Sequence, residues 1–454
     1  MSLGNARHQK SGNPGPSQRR SGEAARRGAG DEARLGRHEP GNSGKALLEA
    51  ALTRENMVMA WKRVKANKGS AGVDGLSIAD TAEYLKTHWS SIRELLLNGT
   101  YRPTPVRRAE ISKQDGSARE LGIPTVTDRL IQQALLQVLQ PLIDPTFSDH
   151  SYGFRPGRRA HDAVRRAQGY IQAGNRIVVD VDLEKFFDRV NHDVLMDRLG
   201  KRISSPAVLK LIHRYLQAGV MINGVKQSRH EGTPQGSPLS PLLANVLLDE
   251  VDRELERRGH CFVRYADDCN VYVRSQRAGE RVMAGLRKVY ATLKLKINEA
   301  KSAVAKAGTR KFLGFSFYVA SGEVKRRVAA KALHAYKTRI RRFTQRNGGC
   351  SIEQVVERLR AYVPGWKGYF QLSQTPGVFR ALDEWLRHRL RALHLKQWKR
   401  GARITEALRR LGASPSDARA VASNSRCWWH NSRLYLNRAL PISYFDRLGV
   451  PRLA

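Results

Sequence analysis

The sequence predicts an α+β protein: strands pairing antiparallel among helices, followed by an α-helical domain. Three observations carry this. Two β-branched stretches run into carboxylates, the apolar residues of 128–143 recur at helical spacing, and the chain beyond about Ser321 turns helical and densely basic.

Residues 1–46 are rich in Gly, Ser, Arg and Pro, as in Ser11-Gly12-Asn13-Pro14-Gly15-Pro16, without an apolar period. Such a segment cannot bury enough surface to offset its ordering entropy, so a disordered basic arm is expected. It either adds non-specific nucleic-acid affinity or is a translation-start artefact. Leu47, Leu48, Ala51 and Leu52 open an amphipathic run, and Trp61, Val64 and Ala66 suggest a second helix ending near Asn67-Lys68-Gly69. A glycine-punctuated loop over 68–75 follows, a weak signal by itself. Leu130, Ile131, Ala134, Leu135, Val138 and Leu139 share one helical face. Arg176-Ile177-Val178-Val179-Asp180-Val181-Asp182-Leu183 reads as a buried strand ending in carboxylates. Phe262-Val263-Arg264-Tyr265 and Asn270-Val271-Tyr272-Val273 read as a hairpin with Asp267 and Asp268 at its tip. Residues 325–400 are helical in pattern. Phe379, Leu382, Leu386, Leu390 and Leu393 form one apolar stripe, with Arg380, Arg387, Arg389 and Arg391 outside it. From Gly401 a short tail mixes a helix (Ile404, Ala407, Leu408, Leu411) with an aromatic patch at Trp428-Trp429.

A chain of 454 residues suggests two to four domains, and 41% apolar residues suffice for real cores. The charge is more telling. With 80 Lys plus Arg against 41 Asp plus Glu, the net charge is +39, and a polyanion is the usual partner of such a surface. Nucleic acid is the first reading, an anionic membrane surface the second, a merely basic protein the third. No run of ~18 apolar residues offers a membrane span. Cys261, Cys269, Cys350 and Cys427 form no C-x-x-C pair and no zinc-like spacing with His, so reduced thiols and a cytosolic setting are expected.

The carboxylates point to phosphoryl transfer. Two divalent cations about 4 Å apart can activate a 3′-hydroxyl and neutralise a leaving pyrophosphate. Hard Mg²⁺ wants oxygen ligands and leaves some sites for substrate phosphates. Asp182 at a strand end and Asp267-Asp268 at a hairpin tip meet that need if the strands are neighbours. The alternative is that each Asp merely ends a strand or turns the chain. Against it, carboxylates packed so closely would repel one another without a cation.

Tyr265-Ala266-Asp267-Asp268 resembles the signature of reverse transcriptases, and the wider match is to the reverse transcriptase/maturase proteins of bacterial group II introns. Asp182-Leu183-Glu184-Lys185-Phe186-Phe187-Asp188 resembles their first catalytic motif, and Gly232-Thr233-Pro234-Gln235-Gly236-Ser237-Pro238-Leu239-Ser240-Pro241 their nucleotide-pocket motif. Arg119-Glu120-Leu121-Gly122-Ile123-Pro124 is similar to a fingers motif, Phe312-Leu313-Gly314-Phe315 to the primer grip, and Gly365-Trp366-Lys367-Gly368-Tyr369-Phe370 to the start of the maturase thumb. The resemblance implies a right-hand polymerase fold: fingers and palm with an antiparallel sheet over 47–320, a helical thumb/maturase domain over 321–400, and a short DNA-binding tail over 401–454.

Roles follow residue by residue. Asp182, Asp267 and Asp268, helped by the Leu183 carbonyl, would hold two Mg²⁺ ions, with Mn²⁺ a substitute. Phe187 would be the steric gate against a ribose 2′-hydroxyl, or plain core packing. Lys113 and Arg119 would meet the triphosphate, or form a solvated basic loop. Gln235 and Gly236 would approach the incoming nucleotide, or make an ordinary turn. Lys301 matches a lysine of a later family motif, or lies on a surface helix. Leu313 and Gly314 would grip the primer. Trp366, Tyr369, Arg387 and Arg391 would contact RNA, although core packing is the plainer reading of any one aromatic. Glu184, Glu120 and Ala300 depart from the usual pattern, which puts local salt bridges in doubt and removes no metal ligand.

The implied protein copies intron RNA into cDNA by target-primed synthesis in retrohoming and assists splicing as a maturase. Its partners would be intron RNA, target DNA, the RNA–DNA hybrid and deoxynucleoside triphosphates, with no membrane and no obligate protein partner. It would work in the bacterial cytoplasm, nucleoid-associated when on target DNA. His430 and Cys427 stand alone, so the resemblance is to the lineage without an HNH endonuclease domain. A maturase without polymerase function, or a reverse transcriptase of retron or phage-defence type, are the competing readings.

Overall fold

The computed structural model describes residues 43–112, 118–222, 225–227, 231–433 and 435–454. The expected basic arm lies outside them, apart from the start of a helix at Ser43.

The central sheet has four antiparallel strands in the order Cys261–Tyr265, Asp268–Val273, Ile177–Val181, Ala303–Lys306. Both faces are covered, which explains the unbroken apolar run of its strands. Val179, Val181, Val271, Val273 and Phe262 face a first core with the helices Val126–Ile143 and Ser240–Arg257. Val178, Val263 and Tyr272 face a second core that continues into the C-terminal helices. The period of two along each strand sends alternate side chains to the two cores. A fully buried Leu such as Leu247, at 0% exposure, contributes about 1.5–3 kcal/mol.

The helix Val126–Ile143 forms as its periodicity predicts. Thr125 caps it, accepting from the Asp128 N–H at 3.1 Å. A second sheet orders Ala118–Ile123, Val106–Ser112, Val220–Ile222 and Val225–Gln227. One of its pairs, Val106–Ser112 with Val220–Ile222, is parallel, so the all-antiparallel expectation holds for the central sheet and not for this one.

A third sheet, Lys311–Phe312, Phe315–Ala320 and Glu323–Val328, corrects the expected start of the helical block. Residues 323–328 are a strand in which Val324 and Val328 bury while the residues between them do not, and the first helix is Ala330–Phe343. The helices Ile352–Phe370 and Pro376–Trp398 follow. The expected stripe from Phe379 to Leu393 is buried. The region from 401 on carries the expected helix, Gly401–Arg410, and packs into the protein core. Ile404, Leu408, Val421, Leu436, Phe445 and Leu453 pack into the same core as Leu386 and Leu390. Those helices cover the polar side of Pro376–Trp398, so Arg387 and Arg391, at 2% and 5% exposure, are buried rather than solvent-facing as their position outside the stripe suggested.

No helix among the described residues is long and apolar enough to cross a membrane.

Candidate active site

Asp182 stands one residue past the strand Ile177–Val181, whose register pairs Val181 with Cys269. Continuing that register sets Asp182 opposite Asp268. Its backbone is fixed from the other side. Its N–H donates to Ser302 Oγ at 3.0 Å, and its carbonyl accepts from the Asn298 N–H at 2.8 Å. The bonds Glu184 N–H to Lys296 O and Asn298 N–H to Asp182 O flank Leu183, bridged to Ile297. In such an antiparallel bridge the flanked residue turns its own carbonyl away from the partner, here toward the strand carrying Asp268.

Asp267 and Asp268 lie at the tip of the predicted hairpin, where Tyr265 pairs with Asp268 across a turn of Ala266 and Asp267. Ala266 has φ +59°, as the first central residue of a primed hairpin turn requires. The turn is buttressed from beneath. Arg264 is fully buried, and its Nη1 donates to the Ala266 carbonyl and to Asn245 Oδ1, both at 2.9 Å. Its Nε and Nη2 bind Asp252 at 2.8 and 2.5 Å. Gly153 lies so close that a Cβ there would stand 2.1 Å from the Ala266 nitrogen.

A fourth carboxylate belongs to this end of the sheet. Asp180, two residues before Asp182 and so on the same face, is bound by Arg310 Nη2 at 2.6 Å. The same Arg310 nitrogen donates to the Lys301 carbonyl at 2.6 Å. Lys301 is in a turn, not a surface helix, and its Nζ stands 3.6 Å from Asp182 Oδ2. Burial is the main cause that lifts the Asp180 carboxyl above its ordinary range, with Arg310 opposing it. The Asp268 carboxyl is pushed up to about 7, chiefly by burial and then by Asp180, Asp267 and Asp182.

This donor set fits hard divalent cations. Asp180, Asp267 and Asp182 all raise the Asp268 carboxyl, a repulsion that a bound cation would relieve, whereas Asp180 is paired with Arg310 and Asp182 stands 3.6 Å from Lys301. Among the described residues no three acidic, His or Cys side chains close around a point as a complete cage.

Beside the carboxylates lies a cleft of about 470 Å³ whose lining includes Phe187, Gln235, Gly236, Leu121, Arg129 and Phe154. Phe187 follows Asp182 by five residues in a short turn, and its carbonyl accepts from the Thr233 N–H at 2.7 Å. Gln235 O accepts from the Gly122 N–H at 2.9 Å. Gly236 has φ +116° and would carry a Cβ 3.1 Å from the Gly122 carbonyl, so its glycine serves both backbone conformation and close approach. Of the two expected fingers cations, Lys113 lies outside the described residues, and Arg119 is described only as backbone in the strand Ala118–Ile123. Glu184 finds a local partner in Arg189 at 3.0 Å.

Leu313 and Gly314 form a two-residue turn with φ +48° and +79° between Phe312 and Phe315. The turn is tied to the first thumb-region residues. Tyr369 Oη donates to the Leu313 carbonyl at 2.9 Å, and Phe370 lies 3.1 Å from where a Cβ on Gly314 would be. Tyr369 is thus partly engaged with this turn. Trp366 packs against Tyr336, Phe370 and Phe379, which is the core reading of that aromatic.

Asp180, Arg264, Arg310 and Phe154 escaped the sequence reading. Asp180 and Asp182 share a strand face by period two, and a charged Arg264 inside an apolar strand signals a buried partner. Nothing periodic marks Phe154.

Residues 111–317 match the family described as reverse transcriptase (RNA-dependent DNA polymerase), and residues 333–412 match the group II intron maturase-specific domain. The chain is 35% identical to protein YkfC of Escherichia coli over 218 residues, which cover 47% of this chain and 57% of that one. It is 38% identical to the group II intron-encoded protein LtrA of Lactococcus lactis over 197 residues, 43% of this chain and 32% of the relative. The chain thus spans little more than half of the first relative and about a third of the second. A solved chain of a partial Cas6-RT-Cas1–Cas2 complex has 26% identity over 54% of this chain and 42% of its own, with a TM-score of 0.36.

Proposed function

The chain belongs to the reverse transcriptase/maturase proteins encoded by group II introns, and on that premise we propose that it is an RNA-directed DNA polymerase that copies its intron RNA into cDNA and assists the splicing of that RNA. The observation that carries the polymerase half is the meeting of Asp182, Asp267 and Asp268 at one end of one sheet, beside a cleft lined by Phe187, Gln235 and Gly236.

Asp182, Asp267 and Asp268, with the Leu183 carbonyl, would hold two Mg²⁺ ions, or Mn²⁺ in their place. When bound, these supply a lowered pKa for the primer 3′-hydroxyl and neutralise charge on the pyrophosphate. Lys301, beside Asp182, offers a point charge to the triphosphate, and Lys113 and Arg119 would do the same from the fingers. Phe187 excludes a 2′-hydroxyl by bulk. Gln235 and Gly236 bring backbone close to the nucleotide. Leu313 and Gly314, braced by Tyr369, hold the primer end. The basic helical half would grip intron RNA and the RNA–DNA hybrid through phosphate contacts, so binding weakens steeply with salt. Fingers and palm would reach to near 320 and the thumb to near 400, with residues 401–454, which share the thumb's core, meeting target DNA. The work would take place in the bacterial cytoplasm, on the nucleoid once target DNA is bound.

Primer extension on an RNA template with Mg²⁺ tests this. Wild type is expected to extend, and wild-type extension by Asp267→Ala and Asp268→Ala would sink the assignment. The same variants should still promote splicing at limiting Mg²⁺. Loss of both activities in a folded variant would contradict the separation of roles.

A further inference from the structure

Phe154 combines two features that rarely meet. Its φ is +62°, a left-handed backbone that a bulky side chain seldom adopts. The residue is also 44% exposed and lines the cleft that Phe187, Gln235 and Gly236 line. Strain of this kind persists when the surroundings over-determine it, and it gathers at functional sites.

Here the surroundings do so on both sides. The Tyr152 N–H donates to the Arg264 carbonyl at 2.9 Å. The Gly153 carbonyl accepts from Asn245 Nδ2 at 2.9 Å, and Gly153 is pressed against the backbone of Ala266. Arg155 is buried, with Nη1 on the Ser148 carbonyl at 2.6 Å and Nε on Asp144 Oδ1 at 3.0 Å. With 152, 153 and 155 fixed, the residue between them has little choice of conformation. The side chain this conformation displays leaves nearly half of the residue's surface exposed. An exposed phenylalanine in a strained turn stabilises the fold poorly, so the fold itself offers no reason for it.

We propose that Phe154 contacts the incoming deoxynucleoside triphosphate, as an apolar wall of the same pocket that Phe187 lines. The inference rests on the polymerase reading above. Its second consequence is mechanical. Asn245 holds Gly153 and also accepts from Arg264, whose other bond fixes the Ala266 carbonyl. The pocket wall and the turn carrying Asp267 and Asp268 therefore share one buried anchor.

The test uses the full chain in steady-state primer extension, with dNTP concentration varied, alongside thermal unfolding. Glycine adopts φ +62° without steric cost. Phe154→Gly should therefore keep or raise the unfolding temperature while raising the KM for dNTP roughly tenfold, the scale of a lost apolar contact, with kcat changed much less. Phe154→Ala should raise KM alike, and Phe154→Tyr should restore it. An unchanged KM in an extending Phe154→Gly, or a lowered unfolding temperature with KM intact, would overturn the proposal and assign Phe154 a structural role alone. Failure of the wild type to extend would instead overturn the polymerase reading.

Discussion

Arg264 in the sheet half and Arg387 in the helical half are both shut away from solvent, but their partners differ. Every guanidinium nitrogen of Arg264 is bound, to Asp252, Asn245 or the Ala266 carbonyl. Arg387 reaches Asp383 through Nη1 at 3.2 Å and comes only within 3.7 Å of Asp446, and its Nε and Nη2 have no hydrogen-bond partner. One turn further on, burial and Arg387 together lower Arg391 to about 10. The first arrangement is a closed strut that fixes one turn. The second faces two carboxylates with part of its donor set unused, beside a cleft of about 1060 Å³ lined by Trp385, His388 and Trp429. One buried arginine fixes a backbone carbonyl at the sheet end, and the other packs between helices with two nitrogens unused.

The comparison can be broken in order of expected size. The largest effect belongs to the carboxylates. Asp268→Ala should cut primer extension by about three orders of magnitude or more, given several kcal/mol of charge stabilisation by a metal, while filter-binding affinity for intron RNA stays within about twofold. A parallel loss of RNA affinity would mean that the two halves are not functionally separable.

Next comes the strut. Arg264→Met leaves Asp252 buried without its counter-ion and should cost about 3–5 kcal/mol in urea unfolding. Adding Asp252→Leu should recover most of that stability but not the extension rate, because the Ala266 carbonyl still lacks its donor. Full recovery of both would make the pair a mere core element.

Arg387→Met should behave differently. Asp383 keeps the backbone N–H groups of Leu453 and Ala454 at 2.9–3.0 Å, so the stability change should stay within about 1 kcal/mol. The salt dependence of RNA binding should stay as in the wild type, because a residue 2% exposed reaches no phosphate. A loss as large as that of Arg264→Met would erase the contrast.

The smallest effect is a pH response confined to the helical half. His394 is buried against Trp398, Tyr444 and Phe445, and burial lowers it to about 4. Between its unfolded value of about 6.5 and its folded value, the unfolded chain takes up a proton that the folded chain refuses. Stability should therefore fall as pH drops from about 6.5 toward 4, and His394→Gln should flatten that part of the profile. An identical profile in the variant would show that other groups govern it.

How far the sequence could be read depended on the kind of signal. Elements with a strong period came out as predicted: the helix Val126–Ile143, the hairpin around Ala266 and Asp267, the strand before Asp182, the stripe from Phe379 to Leu393. The strand Glu323–Val328 was hidden by its basic residues, since Lys325, Arg326 and Arg327 suit a helix surface as well as a sheet edge. Arg387 and Arg391 were misjudged because a single helix pattern shows one packing face, whereas this helix is covered on two sides.

The sequence by itself determined the charge, the order of the elements and the identities of Asp182, Asp267 and Asp268, because residue type and local period are properties of short stretches. Only the tertiary structure decided that strands separated by some ninety residues lie side by side, that Asp180 joins the site already neutralised by Arg310, and that Phe154 is held in a left-handed turn facing the cleft. Those outcomes depend on long-range register and on which backbones press together, and no local pattern encodes either.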